Sequence, residues 1–216
     1  MRPERAYSPA VPATGRRDAP RVLIIGCGAL ARELLALTRD LPGVEVTCVD
    51  AHLHMRPERI ADAVSARIDT ARRDHGPHLR IFVAYADCGT RGALDEVLAT
   101  AGVERIAGAH CFEFYAGAET YAALQDLEPG TFYLTDFLAR QFETLIIAGL
   151  GLDRHPELRD AYFGNYTRLI YLAQSDDPEL TARAQAAATR LGLVFEYRAT
   201  GYGDLSTSVR TAAGAA

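Results

Sequence analysis

Residues 81–94 read IFVAYADCGTRGAL, and this order of residue types constrains the fold more than any other stretch. Ile81–Tyr85 is an apolar run of the length of a buried strand. Asp87-Cys88-Gly89-Thr90-Arg91-Gly92 breaks that run with glycines, and Ala93–Ala99 resumes with helical character. Strand, glycine turn and helix in that order set Cys88 at the carboxyl end of a sheet strand. Open α/β sheets hold their ligands at such ends.

The same unit recurs along the chain. Arg21–Ile25 is apolar, Gly26-Cys27-Gly28 ends it, and Ala29–Thr38 follows with leucines at helical spacing until Leu41-Pro42-Gly43. Val44–Val49 alternates like a strand and leads through His52 and His54 to Pro57, which suits the first turn of a helix running to about Arg72. Val103–Ile106 predicts a fourth strand, followed by Gly108-Ala109-His110-Cys111. Ala118–Leu127 predicts a helix, Thr131–Leu134 a short strand, and Thr135–Ala148 a helix whose end, Leu145–Ala148, also fits a strand. His155–Phe163 and a stretch capped by Asp177 and opened by Pro178 predict two more helices. Leu169–Ala173 and Leu193–Tyr197 predict two more strands. There is no fixed repeat period. Alternation of this kind predicts an α/β fold with a mainly parallel, Rossmann-like doubly wound sheet and helices on both faces. The expected organisation is a disordered leader over 1–20, rich in Pro, Ala and Arg, a single α/β domain over 21–205 and a frayed tail over 206–216.

Composition narrows the chemistry. The net charge is −5, which argues against nucleic acid or an anionic membrane as partner. Every basic side chain other than histidine is arginine and there is no lysine. Schiff-base chemistry, a pyridoxal lysine and a Walker A loop all need one. Four cysteines with no secretory h-region predict thiols in a reducing, cytoplasmic compartment. No apolar run reaches the roughly 20 residues of a membrane span.

Placed on a parallel sheet, the reactive residues converge. Cys27 follows the first strand, His52 and His54 the second, Cys88 the third, His110 and Cys111 the fourth. Neighbouring strands lie about 4.8 Å apart, so ligands from adjacent strand ends can meet at one ion. Three thiols and an imidazole form a Zn²⁺ donor set, and three thiols alone can hold a [4Fe-4S] cluster with one iron open. The candidate metal ligands are therefore Cys27, Cys88, Cys111, His54 and His110. Cys48, in mid-strand, is assigned to packing. At most one of His52 and His54 should face the site. Asp87 and Glu113 are the adjacent acids, placed to orient a ligand or move a proton. Gly89 and Arg56 are candidates for holding a ligand: Arg56 sits at a helix start, where its planar fork would suit a carboxylate or phosphate. GCGALA also resembles a dinucleotide fingerprint through Gly26, Gly28, Ala31 and the later Asp50. Alanine takes its last position, however, and a cysteine stands in the turn.

The set GCGAL, AHLHMRPERI, YADCGTRGAL, AHCFEFYAG and EPGTFYLTDFL resembles an uncharacterised prokaryotic family, catalogued as domain of unknown function 1638. The shared pattern falls on Cys27; Leu53-His54-Met55-Arg56-Pro57-Glu58; Tyr85, Cys88 and Gly89; His110 and Cys111; and Pro129-Gly130-Thr131 with Leu134-Thr135. Here His110 and Cys111 are adjacent, where the family pattern separates them. The resemblance implies company with corrinoid-dependent methyltransferases. The expectation is a metal–thiolate protein of one-carbon or thiol metabolism, transferring methyl groups to or from a thiol or a corrinoid partner at a Zn site. The alternatives are an iron–sulfur protein and a non-catalytic metal-delivery module. The expected ligand is a small thiol or an acidic substrate.

Overall fold

The computed structural model describes residues 21–215; the expected leader, 1–20, lies outside them. The first half is a four-stranded parallel sheet in the order β2-β1-β3-β4. Its strands are β1 (Val22–Cys27), β2 (Val44–Val49), β3 (Arg80–Ala84) and β4 (Glu104–Arg105). The chain leaves β1 towards β2 through α1 (Ala31–Thr38), then crosses back over β1 to β3 through α2 (Ile60–His75) and on to β4 through α3 (Ala93–Ala101). Right-handed crossovers in opposite directions put α1 on one face and α2 and α3 on the other. The direction reverses between β1 and β3, and the crevice beyond their carboxyl ends is where a doubly wound sheet places a ligand. β1 is buried along its whole length, as a central strand covered on both faces must be.

The second half holds three more parallel strands, β5 (Thr131–Leu134), β6 (Arg168–Ala173) and β7 (Val194–Ala199), in that order. The α/β class and the parallel strands agree with the sequence; the single continuous sheet does not. β4 offers only two residues to the ladder. The Arg105 guanidinium then turns back onto the carbonyls of Ile106 (2.8 Å) and Gly108 (3.3 Å). The ladder stops there, and α4 (Cys111–Ala116) and α5 (Ala118–Leu127) fill the space before β5 begins.

Alternation along β6 joins the two halves. Leu169, Tyr171 and Ala173 face a core shared with α6 (Asp136–Gln141) and α8 (Pro178–Leu191), whereas Ile170 and Leu172 face the core that contains β1, β3 and α4. This period of two is what a strand covered on both faces shows. α8 has the expected caps: the Asp177 carboxylate accepts from Glu179 and Leu180 N–H, Pro178 opens the helix, and Gly192 closes it with φ 74°.

Three expectations need correction. The tail is not frayed: Gly203–Ala213 is helix α9, with Leu205, Val209 and Ala212 buried at helical spacing; Ala216 lies outside the described residues. A side chain at Gly203 would strike the Phe114 and Tyr115 carbonyls, so its glycine is what lets α9 dock on α4. Leu145–Ala148 is not a strand, because α6 runs straight into a π-helical stretch, Phe142–Ala148. Its wide turns show in bonds from Gly149 N–H to the Thr144 carbonyl and from Leu152 N–H to Ile147. Finally, His155–Phe163 splits into a 3₁₀ turn at Pro156–Leu158 and the short helix α7 (Arg159–Phe163).

Candidate functional site

Cys27 ends β1 in extended conformation and is buried. The Tyr85 hydroxyl, at the exit of β3 and only 2% exposed, lies beside its sulfur. Cys88 is three residues further on, with φ 48°, in the left-handed region that side chains other than glycine rarely enter. Such a backbone persists only when its surroundings fix it, and here they do. Asp87 N–H donates to the Gly108 carbonyl and Cys88 N–H to Ala109, locking the loop to the segment ahead of α4. The Asp87 carboxylate accepts from the Gly89, Arg91 and Gly92 amides at 3.0–3.2 Å and from the Thr90 hydroxyl at 2.6 Å. Partial burial alone would raise that carboxyl; the Thr90 hydroxyl and the three amides outweigh it and hold it below the usual carboxylate range.

Cys111 is the first residue of α4 and half-buried, as is Cys88. The thiols influence one another across the crevice. Burial, then the neighbouring Cys88 and Cys27, lift Cys111 well above the ordinary thiol range. Burial and Cys27 push Cys88 up to about 12. Burial also raises Cys27, against the lowering effect of Tyr85. A negative charge on any of these buried thiols is unwelcome without a cation nearby. Cys48 is a fourth neighbour. It pairs with Gly26 across the β1–β2 ladder, and burial followed by Cys27 pushes it up to about 11.

A cleft of about 370 Å³ opens above these sulfurs, between the two sheets. Cys88, Cys111, His54 and His110 line its first-sheet side. Burial and then His110 lower the His54 pKa, so the two imidazoles are close. His52 points elsewhere and binds Asp50 at 3.0 Å, as expected if only one of the pair faces the site. The opposite wall comes from β5 and its neighbours and includes Tyr121, Phe132, Tyr133, Ile146 and Tyr166. Phe112 stacks on Tyr133 with ring centroids 5.4 Å apart. That aromatic wall was not among the sequence candidates. Its only sequence signal is the Thr131-Phe132-Tyr133 strand after Pro129-Gly130.

Other candidates stand outside the cleft. Asp87 serves its own loop. Glu113 accepts from Ala109 N–H at 2.7 Å and fixes the segment that Cys88 leans on. Neither acid lines the cleft; each accepts from backbone amides of its own loop. Gly89, at φ 84°, faces Pro57 of the neighbouring turn. Arg56 is exposed and also off the cleft; among the described residues it has no acidic partner within salt-bridge distance. A side chain at Gly28 would meet the Val49 carbonyl and the Ala51 amide at 2.8 Å. The turn is therefore packed against the exit of β2, which speaks against a dinucleotide there.

Among the described residues no helix is long and apolar enough to cross a membrane. Comparison with curated proteins and with solved structures gave no match. A family model does match, from Cys48 to Val209, a stretch that includes His54, Cys88, His110, Cys111 and the aromatic wall but begins after Cys27. That match covers most of the 216 residues, and on it the chain belongs to the family described as protein of unknown function (DUF1638).

Proposed function

We propose that this is a metal–thiolate protein of one-carbon or thiol metabolism, with Cys27, Cys88 and Cys111 as its thiolate ligands. His54, His110 or the sulfur of a substrate takes the fourth place. The observation that supports it most is that Cys88 and Cys111 line one cleft with two imidazoles, beside the reversal point of the first sheet where Cys27 ends β1. Three thiols and an imidazole suit Zn²⁺. Among the described residues no three His, Cys, Asp or Glu side chains already stand as a ligand set, so uptake of the ion requires side-chain rotation. A bound Zn²⁺ holds a thiol as thiolate near neutral pH and so makes it a nucleophile.

The chain's own groups do the rest. The Tyr85 hydroxyl fixes the Cys27 sulfur. Asp87 and Glu113 hold the two loops that carry Cys88 and Cys111. Phe112, Tyr121 and Tyr133 keep water from the reacting end of a bound thiol. The thiol would give up its proton to water, and its sulfur would take a methyl group from a donor such as a methylated corrinoid, whose cobalt would keep the electron pair of the broken cobalt–carbon bond. A cleft of about 370 Å³ is near the small end of ligand pockets. It does not enclose a corrin ring, so a corrinoid partner would present its methyl group at the mouth.

Metal and acid-labile sulfide analysis of protein purified without oxygen tests this. The expected result is about one Zn²⁺ per chain and no sulfide. Metal should fall more than about tenfold in Cys88→Ser and Cys111→Ser and stay unchanged in Cys48→Ser. Stoichiometric sulfide with iron would replace zinc by an iron–sulfur cluster on the same thiols. Full metal retention in both site variants would overturn the assignment, and absence of turnover with every thiol acceptor tried would leave only the delivery role.

A further inference from the structure

The cleft walls specify the rest of the ligand. Among the described residues, no aspartate, glutamate or arginine lines the cleft. On the far wall Gln125 and Thr131 are already engaged with protein, which leaves, among the described residues, the Tyr121 and Tyr166 hydroxyls as its free donors. The Gln125 amide donates to the Tyr121 hydroxyl at 3.3 Å and accepts from the Tyr133 hydroxyl at 3.4 Å. The Thr131 hydroxyl donates to the Glu128 carbonyl and accepts from the Arg168 guanidinium at 2.8 Å. What remains for a ligand besides these two hydroxyls is ring surface and aliphatic carbon on one side and soft sulfur and nitrogen atoms on the other. Phe112, Tyr121 and Tyr133 make a continuous aromatic face, with centroids 5.3–5.4 Å apart. Leu138 and Ile146 close its apolar end.

A carboxylate seated against the aromatic face would lose water there and meet no guanidinium in return; the imidazoles of His54 and His110 stand at the sulfur side, where the thiol is held. An aromatic or alkyl body would gain by the same burial. Arg56 cannot compensate from where it stands, outside the cleft and exposed. We propose that the cleft binds a thiol carried on an uncharged aromatic or alkyl body, and that it excludes thiols bearing a carboxylate. The assignment rests on the metal–thiolate reading for the ligand's sulfur and on the cleft walls alone for its body.

Three probes separate these two supports: benzyl mercaptan, 3-mercaptopropionate and benzyl alcohol, the last with the ring but no thiol. Binding to the zinc-loaded and zinc-free chain would be followed by calorimetry and by tyrosine fluorescence, since the chain has no tryptophan. Benzyl mercaptan should bind at least about tenfold more tightly than 3-mercaptopropionate to the zinc-loaded protein. Benzyl alcohol should bind weakly with or without zinc and compete with the mercaptan. Tyr166→Ala, at the exposed rim of the wall, should weaken both aromatic probes several-fold and leave the melting temperature nearly unchanged. Tyr121→Arg should reverse the order by admitting the carboxylate.

Equal or tighter binding of 3-mercaptopropionate to the unaltered protein, or a loss of that binding in Arg56→Ala, would overturn the proposal and restore an acidic ligand. So would failure of both aromatic probes to bind. If benzyl alcohol and benzyl mercaptan bind alike and zinc makes no difference, the wall assignment stands and the metal reading falls.

Discussion

Each sheet gathers a polar cluster at the carboxyl ends of its strands, and the two clusters are built on opposite principles. In the second sheet Asp136, fully buried at the start of α6, is satisfied on every side. Its carboxylate accepts from the Tyr171 hydroxyl at 2.7 Å, the Gln174 amide at 3.0 Å and the Ser175 hydroxyl at 2.5 Å, and Arg140 stands 3.6 Å away. The Gln174 side chain returns a bond by accepting from the Asp136 amide. In the first sheet burial above all raises the Cys27, Cys88 and Cys111 thiols, and Cys88 sits on left-handed backbone. A closed network of this kind stabilises the fold and leaves nothing for a ligand. The first cluster instead keeps a left-handed backbone at Cys88 and thiols without such a closed set of partners.

The largest effect should come from breaking the closed network. Asp136→Ala strands the Tyr171 and Ser175 hydroxyls and leaves Arg140 without its partner in a buried site. Unfolding stability by urea titration should fall by about 3–5 kcal/mol, with metal content per folded chain unchanged. A change under about 1 kcal/mol would mean that the second sheet does not depend on this cluster, and the contrast between the sheets would fail.

Asp87→Ala should have a smaller effect and one that depends on pH. The folded carboxyl lies below its usual value, so it contributes stability that is fully present above the unfolded value of about 3.9 and is lost as pH falls through the folded one. At pH 7 the variant should lose about 1–2 kcal/mol from its loop bonds. The gap between wild type and variant should close as pH falls below about 3.9. A gap that widens in acid would reverse the assignment of Asp87 as an ionised loop clamp.

The smallest change should carry the opposite sign. Cys88→Gly removes a side chain from a left-handed position and should stabilise the metal-free protein by about 1 kcal/mol while abolishing metal binding. Stability gained with function lost, in one substitution, is the sharpest test that the first sheet's strain serves the site. Destabilisation by more than about 1 kcal/mol would show that Cys88 is there for packing.

Much of the first cluster is legible in the sequence, because its parts are local. The Cys27 turn, the Asp87–Gly92 loop and the Cys88 position follow from apolar runs ending in glycine. Even the true role of Asp87 is written there, since an aspartate ahead of Gly, Thr and Gly commonly accepts from the turn amides that follow it. The aromatic wall is not legible, because Tyr121 and Tyr133 belong to different elements and reach the cleft only through the way the second half packs on the first. The split of the sheet is equally hidden, because β4 gives only two residues to the ladder and α4 and α5 follow before β5. α9 is hidden for a different reason. Its small and polar residues look like a tail, and only three buried positions, Leu205, Val209 and Ala212, give it a face.

The π-helical stretch Phe142–Ala148 has a consequence for how the chain tolerates change in length. Wide turns carry more residues per revolution than an α-helix, so this segment behaves as a helix with residues added. Deleting one residue upstream of Ile146 within it would let the winding relax towards the α form. Fewer residues at the steeper α winding, about 100° each, turn through nearly the same total angle, so everything beyond the cut would keep its facing. Ile146, which lines the cleft, and Leu145 and Ile147, which sit in the second core, would keep their places. The segment thus acts as slack: it takes up a one-residue change in length that an α-helix would pass on as a rotation.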